Sequence, residues 1–227
     1  MPLQNRVTPL GEVIADPARG LVYANRGCLH DSAGRIRRGW ATKRWIACRL
    51  QYRGWYRHPL MQPGRFTELF FLDEATAIAA GHRACALCRR DDYRRLQAIW
   101  RRIHPGPAMA DTIDARLHRE RVDPDTGGHR LHEAAFGSLP DGAFVLLNGA
   151  PHVLAGRHAL RWTPAGYVDP RPRPVRGRAD LVTPPSLVDV LRAGWDPLVP
   201  FLHPSADGGA DPAARPRARD RARPAPR

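Results

Sequence analysis

The chain has 227 residues, 43% of them hydrophobic and 26% charged, which is enough apolar material for one large or two small folded units. Met1 to Gly20 carries no apolar run and no other stretch approaches a membrane span, so a signal peptide, a membrane partner and an oxidising compartment are not expected. A cytoplasmic location follows, where four cysteines point to a metal rather than to disulfides.

The net charge of +14 is unevenly placed. Residues 20–105 hold 17 Lys+Arg against 6 Asp+Glu, residues 106–205 hold 11 of each, and the tail 206–227 holds 6 against 3. A polyanion-binding surface therefore belongs to the cysteine-bearing half. Lys43 is the only lysine, and part of the arginine content reads as solvated surface.

In chain order, residues 1–26 suggest an extended arm around Val7–Ile14. Cys28 follows in the tight polar loop Asn25-Arg26-Gly27-Cys28-Leu29-His30. From Lys43 to Arg53 the residues alternate, with Ile46, Cys48, Leu50 and Tyr52 on one side, which predicts a half-buried strand. Gly54 turns it, Trp55 to Met61 is a candidate return strand, and Pro63-Gly64 turns again. A short strand at Leu69–Leu72 leads to Asp73 as a helix N-cap, with Glu74 in the first turn and Gly81 as the stop. Cys85 and Cys88 then form a C-x-x-C knuckle.

Asp91 opens a second helix with Tyr93, Leu96, Ile99, Trp100 and Ile103 on one face, and Pro105-Gly106-Pro107 ends it. A third helix is predicted over Met109–Val122. Asn148-Gly149 between Ala143–Leu147 and Pro151–Ala155 signals a type I′ hairpin. Ala159–Trp162 and Asp180–Val182 are further strands, separated by a Pro/Arg loop at 170–178. Ser186 and Asp189 read as a capping box for a short helix that Gly194 ends. The expected fold is α+β. A zinc-stabilised small antiparallel sheet with helices spans 1–105, a smaller β-rich module spans 106–205, and a disordered basic tail spans 206–227.

Zinc favours thiolate and imidazole ligands, and four of them close a structural site. Cys85 and Cys88 have the spacing of two ligands, and Cys28 and Cys48 are the candidates to complete a four-cysteine set. Cys48 also reads as a buried small residue on its strand, in which case His30 takes its place through Cys28-x-His30.

The segment Phe66–Arg90, with its strand, acidic helix start, Gly81, His82, Arg83 and C-x-x-C, resembles the metal-binding domain of the Ada DNA repair methyltransferases. Ala84 stands where that family has proline, and the upstream cysteines are farther apart than in the family. The resemblance covers about a tenth of the chain. It implies zinc, DNA as a partner, and a role in DNA repair or maintenance. By order of occurrence it implies Cys28 as the counterpart of the zinc-bound cysteine that accepts a methyl group. The segments NRVTPLGE and NRGCLHD resemble uncharacterised bacterial proteins, which implies no function.

Two further patterns bear on chemistry. Asp111, Asp114 and His118 share one face of the third helix, with Glu120, His129 and His132 nearby, a set suited to metal-assisted phosphodiester hydrolysis. The same residues also read as ordinary helix-dipole and surface pairs. A zinc deaminase is excluded, because His118-Arg119-Glu120 follows the C-x-x-C instead of preceding it. Tryptophans alternate with basic residues at Arg38-Gly39-Trp40, Lys43-Arg44-Trp45 and Arg53-Gly54-Trp55-Tyr56-Arg57, either as base-stacking platforms or as core coated by arginine. Arg26, Arg35, Arg37, Arg38, Lys43, Arg44, Arg89 and Arg90 are the candidate nucleic-acid contacts. The sequence therefore leads to a zinc-containing nucleic-acid-binding protein, with DNA as the partner. Its rivals are a metal-dependent nuclease and a protein whose zinc is purely structural.

Overall fold

The computed structural model describes residues 1–55 and 57–207. The expected basic tail lies outside the described residues, apart from Ala206 and Asp207, which sit in a 3₁₀ turn over Pro204–Asp207.

The first half builds a six-stranded sheet from β1 (Gln4–Val7), β2 (Val13–Ala15), β3 (Val22–Asn25), β4 (Ile46–Cys48), β5 (Leu69–Phe71) and β6 (Arg83–Ala84), in the order β2-β1-β5-β3-β4-β6. Its pairs are antiparallel except for β1 with β5 and β4 with β6, so the sheet is mixed rather than antiparallel throughout. The arm expected near Val7–Ile14 is the β1–β2 hairpin. The strand expected from Lys43 to Arg53 is regular only at Ile46–Cys48, and Trp55 and the stretch from Arg57 to Met61 form no strand. Alternation continues in the sequence through Tyr52, but among the described residues the ladders of β4 with β3 and β6 run no further than Cys48.

Helix α1 (Glu74–Ala79) is short and every residue in it is buried. Asp73 caps it as expected, its Oδ1 accepting from the Thr76 N–H at 2.8 Å and the Thr76 hydroxyl at 2.7 Å. The carboxylate's other oxygen accepts from the Tyr167 hydroxyl and the His203 N–H, both at 2.7 Å. The N–H groups of Glu74 and Ala75 donate to the carbonyls of Pro200 and Phe201. The helix N-terminus is thus satisfied by segments more than 90 residues away, which the local sequence does not reveal. Gly81 closes the helix with φ +80°, and a Cβ there would come within 2.5 Å of the Arg121 side chain.

Helix α2 (Arg90–Ile103) buries Leu96, Ile99 and Trp100, and α3 (Ala110–Arg121) buries Ile113 and Leu117, as their spacing predicts. The second sheet comprises β7 (His132–Ala135), β8 (Phe144–Leu147), β9 (Ala150–Ala155), β10 (His158–Thr163), β11 (Gly166–Pro172) and β12 (Arg178–Leu181). Its order is β11-β10-β9-β8-β12-β7, and with six strands it has as many as the first. Asn148 and Gly149 have φ of 53° and 75°, the left-handed pair that a type I′ turn requires. Part of the expected 170–178 loop is the end of β11. Helix α4 (Pro185–Arg192) has Pro184 at its cap, and the Ser186 hydroxyl donates to Glu120 rather than capping the helix.

The two halves share their cores. Leu72, Ala75 and Ala79 pack with Phe144, Val153, Leu160, Tyr167 and Val182 of the second sheet, while Ala77 and Ala80 face Val22, Leu69 and Phe71 of the first. Alanines on both sides let α1 lie between the two sheets. Ile78, Ala84 and the apolar faces of α2, α3 and α4 join the core that also holds Leu154 and Ala179. No described helix is long and apolar enough to cross a membrane.

Candidate metal centre and cleft

The parallel pairing of β4 with β6 assembles the centre. Ile46 lies opposite Arg83 and Ala47 opposite Ala84, and the Cys85 N–H donates to the Ala47 carbonyl at 3.0 Å. Cys48, one residue beyond the pair, is thereby level with Cys85. The tight turn after Cys85 then brings in Cys88, and its Leu87 N–H donates to Cys85 Sγ at 3.4 Å. The three sulfurs lie within 4.8 Å of one another, and all three cysteines are buried.

This donor set fits a metal ion. Zinc–sulfur bonds of about 2.3 Å at tetrahedral angles separate sulfurs by about 3.8 Å, which falls inside the 4.8 Å that bounds the trio. The three sulfurs hold their protons unevenly. Hydrogen bonds from the Cys48 and Cys88 thiols, helped by the backbone N–H groups of Cys88 and Leu87, push the Cys85 thiol down. The same contacts, with burial, push Cys48 far up. Cys88 is raised: Cys48 favours its thiolate, but competition from Cys85 and burial outweigh that. Three close, buried sulfurs are a donor set that a divalent cation would hold as thiolates.

Cys28 is not part of this trio. Its thiol donates to the carbonyl of His30 at 3.6 Å within its own loop, which replaces the expected four-cysteine set by three. His30 is not an alternative ligand either. Its Nδ1 lies 2.6 Å from the Thr67 hydroxyl and its Nε2 3.2 Å from the Gln62 carbonyl, so both ring nitrogens are engaged. The methyl-accepting role that the Ada resemblance assigns to Cys28 requires a metal-bound sulfur, and this geometry does not supply one. Cys48, which the sequence also allowed as a core residue, is the third sulfur of the cluster.

The three cysteines line a cleft of about 1050 Å³. Tyr23, Ile46, Trp55, Phe66 and Leu87 supply apolar wall, and Lys43, Arg44, Arg57 and Arg65 supply positive charge. Trp55, Phe66 and Leu87 are more than half exposed, although large apolar side chains are ordinarily covered. Arg57 stacks on Tyr23 at 4.3 Å and donates to the Leu50 carbonyl. Burial, then the nearby Cys48 and Glu68, pushes the Tyr23 phenol up to about 12, so its hydroxyl stays protonated beside the sulfurs. Glu68, also in the wall, is held by the Met61 N–H at 2.7 Å.

The basic residues divide by burial. Lys43, Arg44, Arg38 and Arg90 are exposed. Arg35 and Arg37 are exposed but share the Asp31 carboxylate at 3.0 and 2.9 Å. Arg26 and Arg89 are fully buried and cannot meet a nucleic acid. Arg26 donates to the carbonyls of Gly39 and Gly11 and stacks over Trp45 at 4.3 Å, with Arg121 on the same ring at 4.1 Å. Arg89 bridges Glu74 at 2.6 Å and Asp92 at 2.7 Å, tying the starts of α1 and α2 together directly after Cys88. Of the tryptophans, Trp45 is core and Trp55 is exposed, so both readings of the Trp/Arg alternation hold, at different positions.

The third-helix constellation does not converge. Asp111 is 90% exposed in its side chain and lies 3.7 Å from Arg44. Asp114 is buried in a two-pronged pair with Arg83, at 2.9 and 2.6 Å, which ties α3 to β6. His118 packs edge-on against Trp40, His129 contacts the Val182 carbonyl at 2.8 Å, and His132 contacts the Glu120 carbonyl at 2.6 Å. The Glu120 carboxylate itself is held by Ser186 and Arg116. Each group is used separately, so a shared hydrolytic site is not formed.

Tyr23, Arg65, Phe66, Glu68 and Leu87 line the cleft without having stood out as site residues in the sequence, and Arg57 stood out only within the Trp/Arg alternation. Arg57, Arg65 and Phe66 belong to a stretch of aromatic residues among arginines from Arg53 to Phe66, whereas Tyr23, Glu68 and Leu87 carry no such local signal. In comparison with known proteins, the chain matches no family model, and neither the curated proteins nor the solved structures contain a match.

Proposed function

We propose that the protein holds zinc on Cys48, Cys85 and Cys88 and binds single-stranded nucleic acid, DNA in the first instance, along the cleft above that centre. The observation that carries this reading is the cleft's composition: exposed Trp55 and Phe66 stand among Lys43, Arg44, Arg57 and Arg65, with the sulfurs alongside. Exposed aromatic rings stack bases of any sequence, and guanidinium groups meet the phosphates between them. Zinc is the metal that three buried thiolates suit, and the Ada resemblance of Phe66–Arg90 points the same way. A place in DNA repair or maintenance rests on that resemblance alone.

The test is a fluorescence titration of the full chain with a single-stranded oligonucleotide over a range of salt concentrations. Affinity should fall steeply with salt. Arg44→Ala and Arg65→Ala should each reduce the salt slope by about 1. Trp55→Ala should weaken binding by about 1–3 kcal/mol with the slope unchanged. Salt-sensitive binding that all three variants leave intact would place the nucleic acid elsewhere, and no binding at low salt would end the reading.

A further inference from the structure

Three cysteines leave a tetrahedral ion one ligand short. Among the described residues no fourth cysteine, histidine or carboxylate joins the trio, and Cys28 and His30 are committed to other partners. All three ligand residues line the cleft. Sites that keep three protein ligands and an accessible position are the ones that bind or activate a further molecule, whereas structural sites are closed by four.

We infer that a metal on Cys48, Cys85 and Cys88 keeps its fourth position open to the cleft and takes an exogenous thiol there. The inference rests on the metal half of the function proposed above and is independent of its nucleic-acid half. Three thiolates make a divalent ion electron-rich and soft, so a sulfur donor suits the open position better than a carboxylate or phosphate oxygen. On binding, the thiol's S–H bond breaks, a sulfur–metal bond forms and the proton passes to solvent, with no change in oxidation state. The surroundings fit a thiol-bearing molecule with anionic groups: Trp55, Phe66 and Leu87 cover apolar parts, and Lys43 and Arg65 face carboxylates. Glu68 lies outside the sulfur trio, and its Oε2 accepts from the Met61 N–H.

The full-length chain loaded with cobalt(II) reads this directly, since sulfur-to-cobalt absorption scales with the number of sulfur ligands. The wild-type chain and Cys28→Ser should both show three-sulfur absorption. Added 2-mercaptoethanol or glutathione should raise it saturably by about one third, from three sulfurs to four. Four-sulfur absorption before any thiol is added, falling in Cys28→Ser, would show that Cys28 closes the site and would overturn the inference. A three-sulfur spectrum indifferent to both thiols would overturn it as well. Failure to take up cobalt would remove the metal site itself, while oligonucleotide affinity, measured separately, speaks only to the nucleic-acid reading.

Discussion

Three buried arginines anchor the region around the cysteine cluster, each by a different means. Arg83 makes a two-pronged pair with Asp114, Arg89 bridges two carboxylates, and Arg26 relies on carbonyls and the Trp45 ring. Removing a charge from such a group strands its partners in a medium that solvates them poorly. Arg89→Met should therefore cost about 3–5 kcal/mol, because Glu74 and Asp92 lose their shared cation at the base of the knuckle. Urea denaturation measures it, and a loss below about 1 kcal/mol would show the triad to be dispensable. His82 offers a pH-dependent test. It is fully buried between Trp45 and Phe71 and its ring nitrogens make no hydrogen bond of normal geometry, although the backbone at Ala77 and Ala80 slightly favours the protonated ring. Burial first, then Arg26 and Arg121, holds its pKa well below the usual 6.5. The unfolded chain thus takes up a proton near pH 6.5 that the folded chain refuses, and stability falls as pH drops below that value. His118, held down to about 4 chiefly by burial, and His129 add to the same trend, while Asp73, raised to about 6 by burial, opposes it. His82→Phe keeps the ring packing and removes the proton. Relative to the parent it should gain about 2 kcal/mol more at pH 5 than at pH 8, at about 1.4 kcal/mol per pH unit below 6.5. Equal differences at the two pH values would contradict the assignment.

At the scale of elements, what was legible in the sequence is what local chemistry decides. The Asp73 cap, the Gly81 stop, the apolar faces of α2 and α3 and the Asn148-Gly149 hairpin all follow from residues within a few positions of one another. The knuckle was legible too, because C-x-x-C is a local spacing. Cys48 was among the candidates to complete the set, but its place beside the knuckle was not legible. It depends on the parallel register of β4 with β6, two short strands 35 residues apart, and nothing in either strand specifies that pairing. Cys28 looked suitable because it sits in a polar loop, but β3 and β5 hold that loop against Thr67, away from the sulfurs. The third-helix set misled for a related reason. Residues at i, i+3 and i+7 do share a face, yet Asp114 is drawn to Arg83 of β6 while Asp111 stays in solvent. Periodicity places side chains on a face without saying what that face meets.

Across the whole molecule, the surplus positive charge of residues 20–105 divides into two uses. Part of it is interior structure, as Arg26, Arg83 and Arg89 show, and part rims the cleft, as Lys43, Arg44, Arg57 and Arg65 show. Net charge alone therefore overstates the nucleic-acid surface. The cleft and the centre beside it are held by both halves of the chain, since α3 reaches β6 through Asp114 and α1 packs between the two sheets. A bound ion would bridge β4 and the start of α2, and its binding energy would add to the stability of this shared core. The measurement that reaches the central claim most directly is the metal content of the purified full chain beside its Cys28→Ser and Cys48→Ser variants. The parent and Cys28→Ser should carry about one zinc per chain, and Cys48→Ser should carry none. Zinc retained by Cys48→Ser and lost by Cys28→Ser would contradict the three-cysteine centre.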